Sequence, residues 1–446
     1  MNSNELLKNW YVTNFKTFED NLNGESKSKF HQVRKDALSK FRELDFPTLK
    51  DEDWRYTNIS PMLNYNFRQP ARVKIKNEQI EKFLFDKKDF ITLVFVNGYY
   101  DETLSSIPKE VKGLTIKNLS TAIKENFNIT EKYLARFALY NTNIFTALST
   151  AFLKEGAFIL VEKNSVIEKP IQILYVTATG ENVITNPRNL FVVEENAQVK
   201  IVEIHKSLEE NLNFTNTVTE VIVDNNAVVE HIKLQDENLR SFHVSRLEVD
   251  LEKSSNYSSY NVSIGAAISR NDSNARFNDE GGECTLNGLY LTQGEQLVDN
   301  HTMIDHAKPH CNSHELYKGV MNDKSRAVFN GKVLVRKDAQ KTNAFQENKN
   351  ILLSEEAIVD TKPQLEIFAD DVKCSHGATI GQLSKDALFY LRSRGFGEEF
   401  ARTTLIYAFA SDVVHSISIP EVRDRLEAML AEKLLKQKET VSLITE

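Results

Sequence analysis

The sequence predicts a mainly β protein, with a parallel β-helix core preceded by an N-terminal α/β domain and followed by a C-terminal helical domain. Three observations carry this. A short turn unit recurs at a near-constant spacing through the middle of the chain, β-branched and aromatic runs fill the intervals, and helix signals are confined to the two ends. The 446 residues exceed one typical domain, and the 41% hydrophobic content supplies side chains for extended cores.

In chain order, residues 1–155 mix helix and strand signals. Asn4 to Phe18 and Lys29 to Arg42 carry apolar residues at helical spacing. Ile91-Thr92-Leu93-Val94-Phe95-Val96 followed by Asn97-Gly98 predicts a strand entering a turn. Asn143 to Lys154 predicts a short helix closed by Gly156, and the first domain boundary is placed there.

Residues 156–381 hold the repeat: an aliphatic residue, an acid, any residue, a small polar residue, then Ala or Ser. It occurs as Val161-Glu162-Lys163-Asn164-Ser165, Val193-Glu194-Glu195-Asn196-Ala197, Val223-Asp224-Asn225-Asn226-Ala227 and Leu251-Glu252-Lys253-Ser254-Ser255. The last residues are spaced by 32 (165 to 197), 30 (197 to 227) and 28 (227 to 255). A related unit, Leu353-Ser354-Glu355-Glu356-Ala357, precedes Ile358. One coil per repeat, with small residues at the corners and aliphatics stacked inside, makes a β-solenoid. A β-sandwich would turn every 8 to 12 residues or so and needs no long period.

The pattern changes after Gly381, and residues 382–446 predict helices. Ser384-Lys385-Asp386-Ala387 offers an N-cap, Leu388, Phe389 and Leu391 an apolar face, and Gly395 a stop. A second helix is expected from Glu398 to His415, and a third from Ser418-Ile419-Pro420-Glu421, where Pro420 sits at a permissive first-turn position. These helices are expected to cap the solenoid end, where an open edge would otherwise remain. Leu405, Ile406, Phe409, Val413 and Val414 read as core, and Glu432 to Lys438 as a solvated helix end.

Composition narrows function. A net charge of −8 without a long Lys/Arg block argues against a nucleic-acid binder that neutralises phosphates. The start has no apolar signal core and no window approaches the roughly 18 apolar residues of a membrane span, so a soluble cytoplasmic protein is expected. The three cysteines, Cys284, Cys311 and Cys374, are odd in number and far apart, which suits a reducing compartment. Without a Cys-x-x-Cys, neither a zinc ribbon nor a ferredoxin-type cluster held by this chain alone is expected. Gly331-Lys332 is followed by Val333 and no phosphate-binding loop occurs, so the chain should not hydrolyse ATP.

The densest chemistry lies in Asp370-Asp371-Val372-Lys373-Cys374-Ser375-His376-Gly377. If extended, this stretch puts Cys374 and His376 on one face, with Cα atoms roughly 6.6 Å apart. A soft sulfur and a borderline nitrogen ligand there could share a transition metal or an iron–sulfur unit. A buried thiol beside a histidine satisfied by the backbone is the other reading. A second grouping contains His301, His306, His310, Cys311 and His314, with four of the ten histidines inside 14 positions. The donors suit zinc, copper or iron. No regular element puts all five on one face and Pro309 interrupts them, so packing and turn hydrogen bonds compete with a metal site. Trp54 and Tyr56 fit either a partner anchor or inter-domain packing.

From residue 286 to 415 the chain resembles the SufB/SufD family of iron–sulfur cluster assembly proteins. The resemblance rests on Asp299-Asn300-His301-Thr302-Met303-Ile304-Asp305-His306, Pro309-His310-Cys311-Asn312-Ser313, Arg326-Ala327-Val328-Phe329-Asn330-Gly331-Lys332 and Asp338-Ala339-Gln340-Lys341-Thr342. It continues through Asp360-Thr361-Lys362-Pro363-Gln364-Leu365-Glu366-Ile367 to Ala387-Leu388-Phe389-Tyr390-Leu391-Arg392-Ser393-Arg394-Gly395, with a further match at Asp53-Trp54-Arg55-Tyr56-Thr57-Asn58. The intact Val372-Lys373-Cys374-Ser375-His376-Gly377 run is similar to the SufD branch rather than the SufB branch.

The resemblance implies a right-handed parallel β-helix and a noncatalytic scaffold that pairs with a SufB-like paralogue through the β-helix. It also implies that the C-terminal helices recruit a SufC-like ATPase, and that a nascent iron–sulfur cluster forms transiently at the shared interface. Cys374 and His376 fall where the family's Cys and His contributions lie. One thiol and one imidazole leave tetrahedral ligation incomplete, so further ligands would come from another chain or from sulfide. Self-pairing in the absence of the paralogue stays open. The alternative is a β-helix hydrolase or lyase acting on a polymer, with Asp370, Asp371 and His376 as candidates. Adjacent acids alternate faces on a strand, and the start lacks a secretion signal; both weigh against it.

Overall fold

The repeated unit marks the corners of a solenoid. The computed structural model describes residues 3–22, 25 and 28–442, with side chains for 5–22, 25 and 28–433. Asn164, Asn196, Asn226 and Ser254, the fourth residue of each unit, all take left-handed backbone, with φ of 62°, 59°, 55° and 52°. Gly281, His310 and Lys341 do the same at later corners, with φ of 75°, 60° and 62°. Asn tolerates this region because its short side chain can bond locally. The Asn196 amide donates to Asn164 Oδ1 at 2.8 Å and the Asn226 amide to Asn196 Oδ1 at 3.2 Å. Each corner also donates a backbone N–H to the next coil, as Asn196 does to the Asn225 carbonyl at 2.9 Å. The Leu353–Ala357 unit belongs to the opposite set of corners, between strands Asn343–Leu352 and Ile358–Ile367.

Strands between corners alternate between two sheets. One runs from the hairpin Ile91–Val96 and Tyr99–Tyr100 to Lys373–Gly381; the other runs from Leu114–Asn118 to Ile358–Ile367. Asn97 and Gly98 close the hairpin with φ of 52° and 76°, as a twisted two-residue turn requires. Ile91–Val96 pairs in parallel with Ile171–Thr177, so the N-terminal region supplies the first rung of a sheet. Successive strands stay parallel and in register, Gln198 beside Val228 and Val228 beside Asn256, through about eight turns. The fold is mainly β, a parallel solenoid with helices at both ends of the chain.

The helices fall close to their expected places: Ser3–Asp20, Lys29–Glu43, Ile144–Ala151, Lys385–Ser393, Glu398–His415 and Pro420–Ser442. Asn143 and Ser384 act as N-caps, their side chains accepting from Thr146 N and Ala387 N. Of the Glu432 to Lys438 stretch, the backbone is helical and the side chains beyond 433 lie outside the described residues. No helix among the described residues is long and apolar enough to cross a membrane.

The C-terminal helices do not cap the solenoid end as expected. Glu398–His415 and Pro420–Ser442 lie along the outer face of the first sheet, where Ile406, Val413, Val422 and Leu426 pack on Val202, Ile204, Ile232, Leu234 and Val262. Those outward residues are apolar and need a cover, and burying them outweighs closing an edge. Tyr260 donates its hydroxyl to the Ser416 carbonyl at 2.7 Å, and the Lys318 ammonium donates to the Phe409 carbonyl at 2.7 Å while pairing with Asp412. N-terminal helices cover the other sheet, with Leu7, Phe41 and Phe145 against Phe214, Phe242 and Val244. Trp54 is buried and lies 4.3 Å from the Arg270 guanidinium, while Arg270 donates to the Asp53 carbonyl at 2.8 Å. The Asp53–Tyr56 segment is thus held against the outer face of the second sheet.

Candidate functional site at the open end of the solenoid

Because the helices take the side of the first sheet, the last two strands keep an unpaired edge. Ile358–Ile367 and Lys373–Gly381 each pair with a single neighbour in their sheets. Unpaired backbone groups on such an edge are ready to bond another strand. The rim is apolar: Ile358, Ile367, Phe368 and Ile380 are exposed, Phe368 at 63%.

Cys374 and His376 lie on this edge strand, paired in register with Ala344 and Gln346. Cys374 is half-buried and faces inward against Val333, Val335, Ala339, Ala344 and Ala369. Burial pushes its thiol above the ordinary range, with the Ala344 backbone partly offsetting this. His376 stands two residues on, on the same face, and is exposed. The two residues therefore share one face of the edge strand. Among the described residues no three His, Cys, Asp or Glu side chains are grouped to hold a metal ion. Cys374 and His376 could supply one sulfur and one nitrogen donor from this strand.

The neighbouring acids are engaged in turn structure. Asp371 pairs with Lys341, accepts that residue's backbone N–H and donates its own N–H to Gln340 Oε1 at 2.9 Å. Asp370 is exposed in the same turn.

The histidine grouping is dispersed. His301 bonds Asp299 on the outer face at 3.1 Å. His306 points inward, donating to or accepting from Ser313 Oγ at 2.8 Å, and burial pushes it down to about 4. His310 is a left-handed corner. Cys311 is buried at that corner, its thiol 3.4 Å from the Asp279 and Pro309 carbonyls. His314 faces outward and stacks on Phe345, ring centroids 5.4 Å apart. Strand alternation and the corner between His306 and Asn312 separate the five, so the structure does not bring His306, His310, Cys311 and His314 together.

Sequence reasoning missed a polar stretch of lumen. Glu203, His205, His231, Glu237 and His243 are buried inside the middle coils, with Lys233 partly buried among them. Burial alone would push the Glu203 carboxyl up, but His205 and His231 hold it well below the usual range. Lys233 is pushed down to about 8 by burial and donates to Ser245 Oγ and Asn271 Oδ1 at 2.7 and 2.8 Å. The signal was inverted alternation: Val202, Ile204, Ile232 and Leu234 point outward under the helices, so their polar neighbours point in.

A further surface is uncovered among the described residues. Phe389, Tyr390, Phe396 and Phe400 are exposed along Lys385–Ser393 and the start of the following helix, Phe389 at 74%. Helix Lys385–Ser393 buries none of its residues.

Comparison with known proteins places the chain beside assembly proteins. Residues 175–409 match the family model described as SUF system FeS cluster assembly, SufBD core domain, and residues 5–173 match the SufBD protein N-terminal region. An iron–sulfur cluster assembly SufBD family protein of Synechocystis sp. is 33% identical over 417 residues, spanning 91% of each chain. The iron–sulfur cluster assembly protein SufD of Escherichia coli is 31% identical over 400 residues, 89% of this chain and 91% of that one. SufD of Bacillus subtilis is 29% identical over 420 residues, 90% of this chain and 93% of that one.

Proposed function

The chain belongs to the SufBD family of the SUF iron–sulfur cluster assembly system, and from that premise we propose that it is a noncatalytic scaffold subunit acting in the cytoplasm. Its open solenoid end pairs with the matching end of a SufB-like paralogue, and a nascent cluster is built between them as cargo. The observation that carries this reading is the placement of Cys374 and His376 on an unpaired edge strand with an apolar rim. A surface that lacks hydrogen-bond partners, exposes large apolar groups and carries two metal-binding donors is suited to a shared site. In the absence of the paralogue the same edge can take a second copy of this chain.

The exposed aromatics Phe389, Tyr390, Phe396 and Phe400 are proposed as the docking face for a SufC-like ATPase, since aromatic side chains dominate interface hot spots. ATP hydrolysis belongs to that partner. A polymer-cleaving reading is disfavoured, because Asp371 is committed to Lys341.

The test is to co-express the chain with the SufB-like and SufC-like proteins of its own organism, purify anaerobically, and measure iron and acid-labile sulfide per complex. Cys374→Ala and His376→Ala are expected to assemble normally but to lose most of both elements. Equal iron and sulfide in all three complexes would make the two residues structural and leave the chemistry to the partner.

A further inference from the structure

Three side chains in the last coils share one inward ladder. The register pairs Glu315 with Gln346, and Gln346 with His376, so they form a row toward the open end with steps of about 4.8 Å. Glu315 and Gln346 are 3% and 1% exposed. Gln346 Nε2 donates to Glu315 Oε2, which fixes the orientation of the amide. Its other end, Gln346 Oε1, is buried and has no partner. Space for this amide depends on Gly331 across the lumen, where a Cβ would come within 2.4 Å of Gln346 Nε2 and 2.8 Å of its Cδ. A buried acceptor without a donor is costly, and the next group on the ladder is an imidazole, which can supply a ring N–H.

We infer that Gln346 is the positioning residue for His376: its Oε1 accepts one ring N–H of His376 and leaves the other ring nitrogen unprotonated and directed out of the open end beside the Cys374 thiol. Glu315 acts through Gln346 by fixing which end of the amide faces outward. Metal-binding imidazoles are commonly oriented by an acceptor on the far nitrogen, which sets the tautomer. The inference rests on the half-site reading of Cys374 and His376, because an oriented imidazole needs something for its free nitrogen to bind.

The test combines ring-nitrogen NMR of the full chain labelled with 15N-histidine and iron and sulfide analysis of the assembled complex. The His376 signals are identified by their loss in His376→Gln. A single His376 tautomer is expected in the wild type. Gln346→Leu should give mixed tautomers and at least a threefold loss of iron and sulfide, and Gln346→Glu, which keeps an acceptor, should restore the single tautomer. Gly331→Ala crowds Gln346 and the Phe329 ring and should reproduce the Gln346→Leu spectrum; it carries the test if Gln346→Leu does not fold. An unchanged His376 tautomer in Gln346→Leu, or in Gly331→Ala as its substitute, overturns the inference. Mixed tautomers in Gln346→Leu with full iron and sulfide even in His376→Gln would support the orientation and overturn the half-site reading instead.

Discussion

Cys374 and His376 were legible in the sequence because the period of a strand is two, and two residues of separation settle which face they share. What lies behind them was not legible. Glu315 and Gln346 are 31 residues apart and meet only because successive coils stay in register. That meeting has a measurable consequence. Burial pushes the Glu315 carboxyl up to about 7, with Gln346 and Thr302 offsetting part of the effect. Above the ordinary carboxylate range and below that value, the native state keeps a proton that the unfolded chain releases, so stability falls as pH rises through the interval. The full effect is about 3 kcal/mol, and Glu315→Gln should abolish it. Urea unfolding at about pH 4.5 and pH 8 checks this: the wild type should lose roughly that much more than the variant, and equal losses would mean that Glu315 is not held protonated.

At the scale of elements, the repeat was legible because a left-handed corner restricts residue type. The fourth position of each of the first four units is Asn or Ser, whereas the later corners carry Gly281, His310 and Lys341, which share no residue type. A β-branched residue at such a corner meets its own carbonyl. Asn226→Val should therefore cost about 1–2 kcal/mol in chemical unfolding, while Asn226→Gly stays within a few tenths. A small Asn226→Val effect would show that the corner can relax. The same corner rule applies to His310, which turns the chain. The Glu398–His415 and Pro420–Ser442 helices were found with their ends nearly right, since N-caps, Gly395 and Pro420 are local signals. Their docking place was not local information.

At the scale of the whole molecule, the arrangement leaves one end of the solenoid unfinished. At the N-terminal end the sheets finish in short antiparallel strands, Tyr99–Tyr100 on one and Leu114–Asn118 on the other, while at the C-terminal end they finish in the longer parallel strands Ile358–Ile367 and Lys373–Gly381. The long parallel edge offers more unpaired backbone to a partner than the short antiparallel one. Phe368→Asp combined with Ile380→Asp should abolish pairing with the SufB-like protein in size-exclusion chromatography while leaving the thermal midpoint of the isolated chain within about 2 °C, since surface changes away from the core alter stability little. Retained pairing would place the interface elsewhere. The amino-acid sequence by itself determined the solenoid, its period, the terminal helices and the strand bearing Cys374 and His376, because each follows from local backbone preference or from a spacing of a few residues. Only the tertiary structure decided that the C-terminal helices cover the first sheet rather than the end, that the polar side chains of the middle coils face the lumen, and that Glu315 and Gln346 stand behind His376. Those outcomes depend on competition for burial and on the register between distant strands, and neither is recorded in any short stretch of chain.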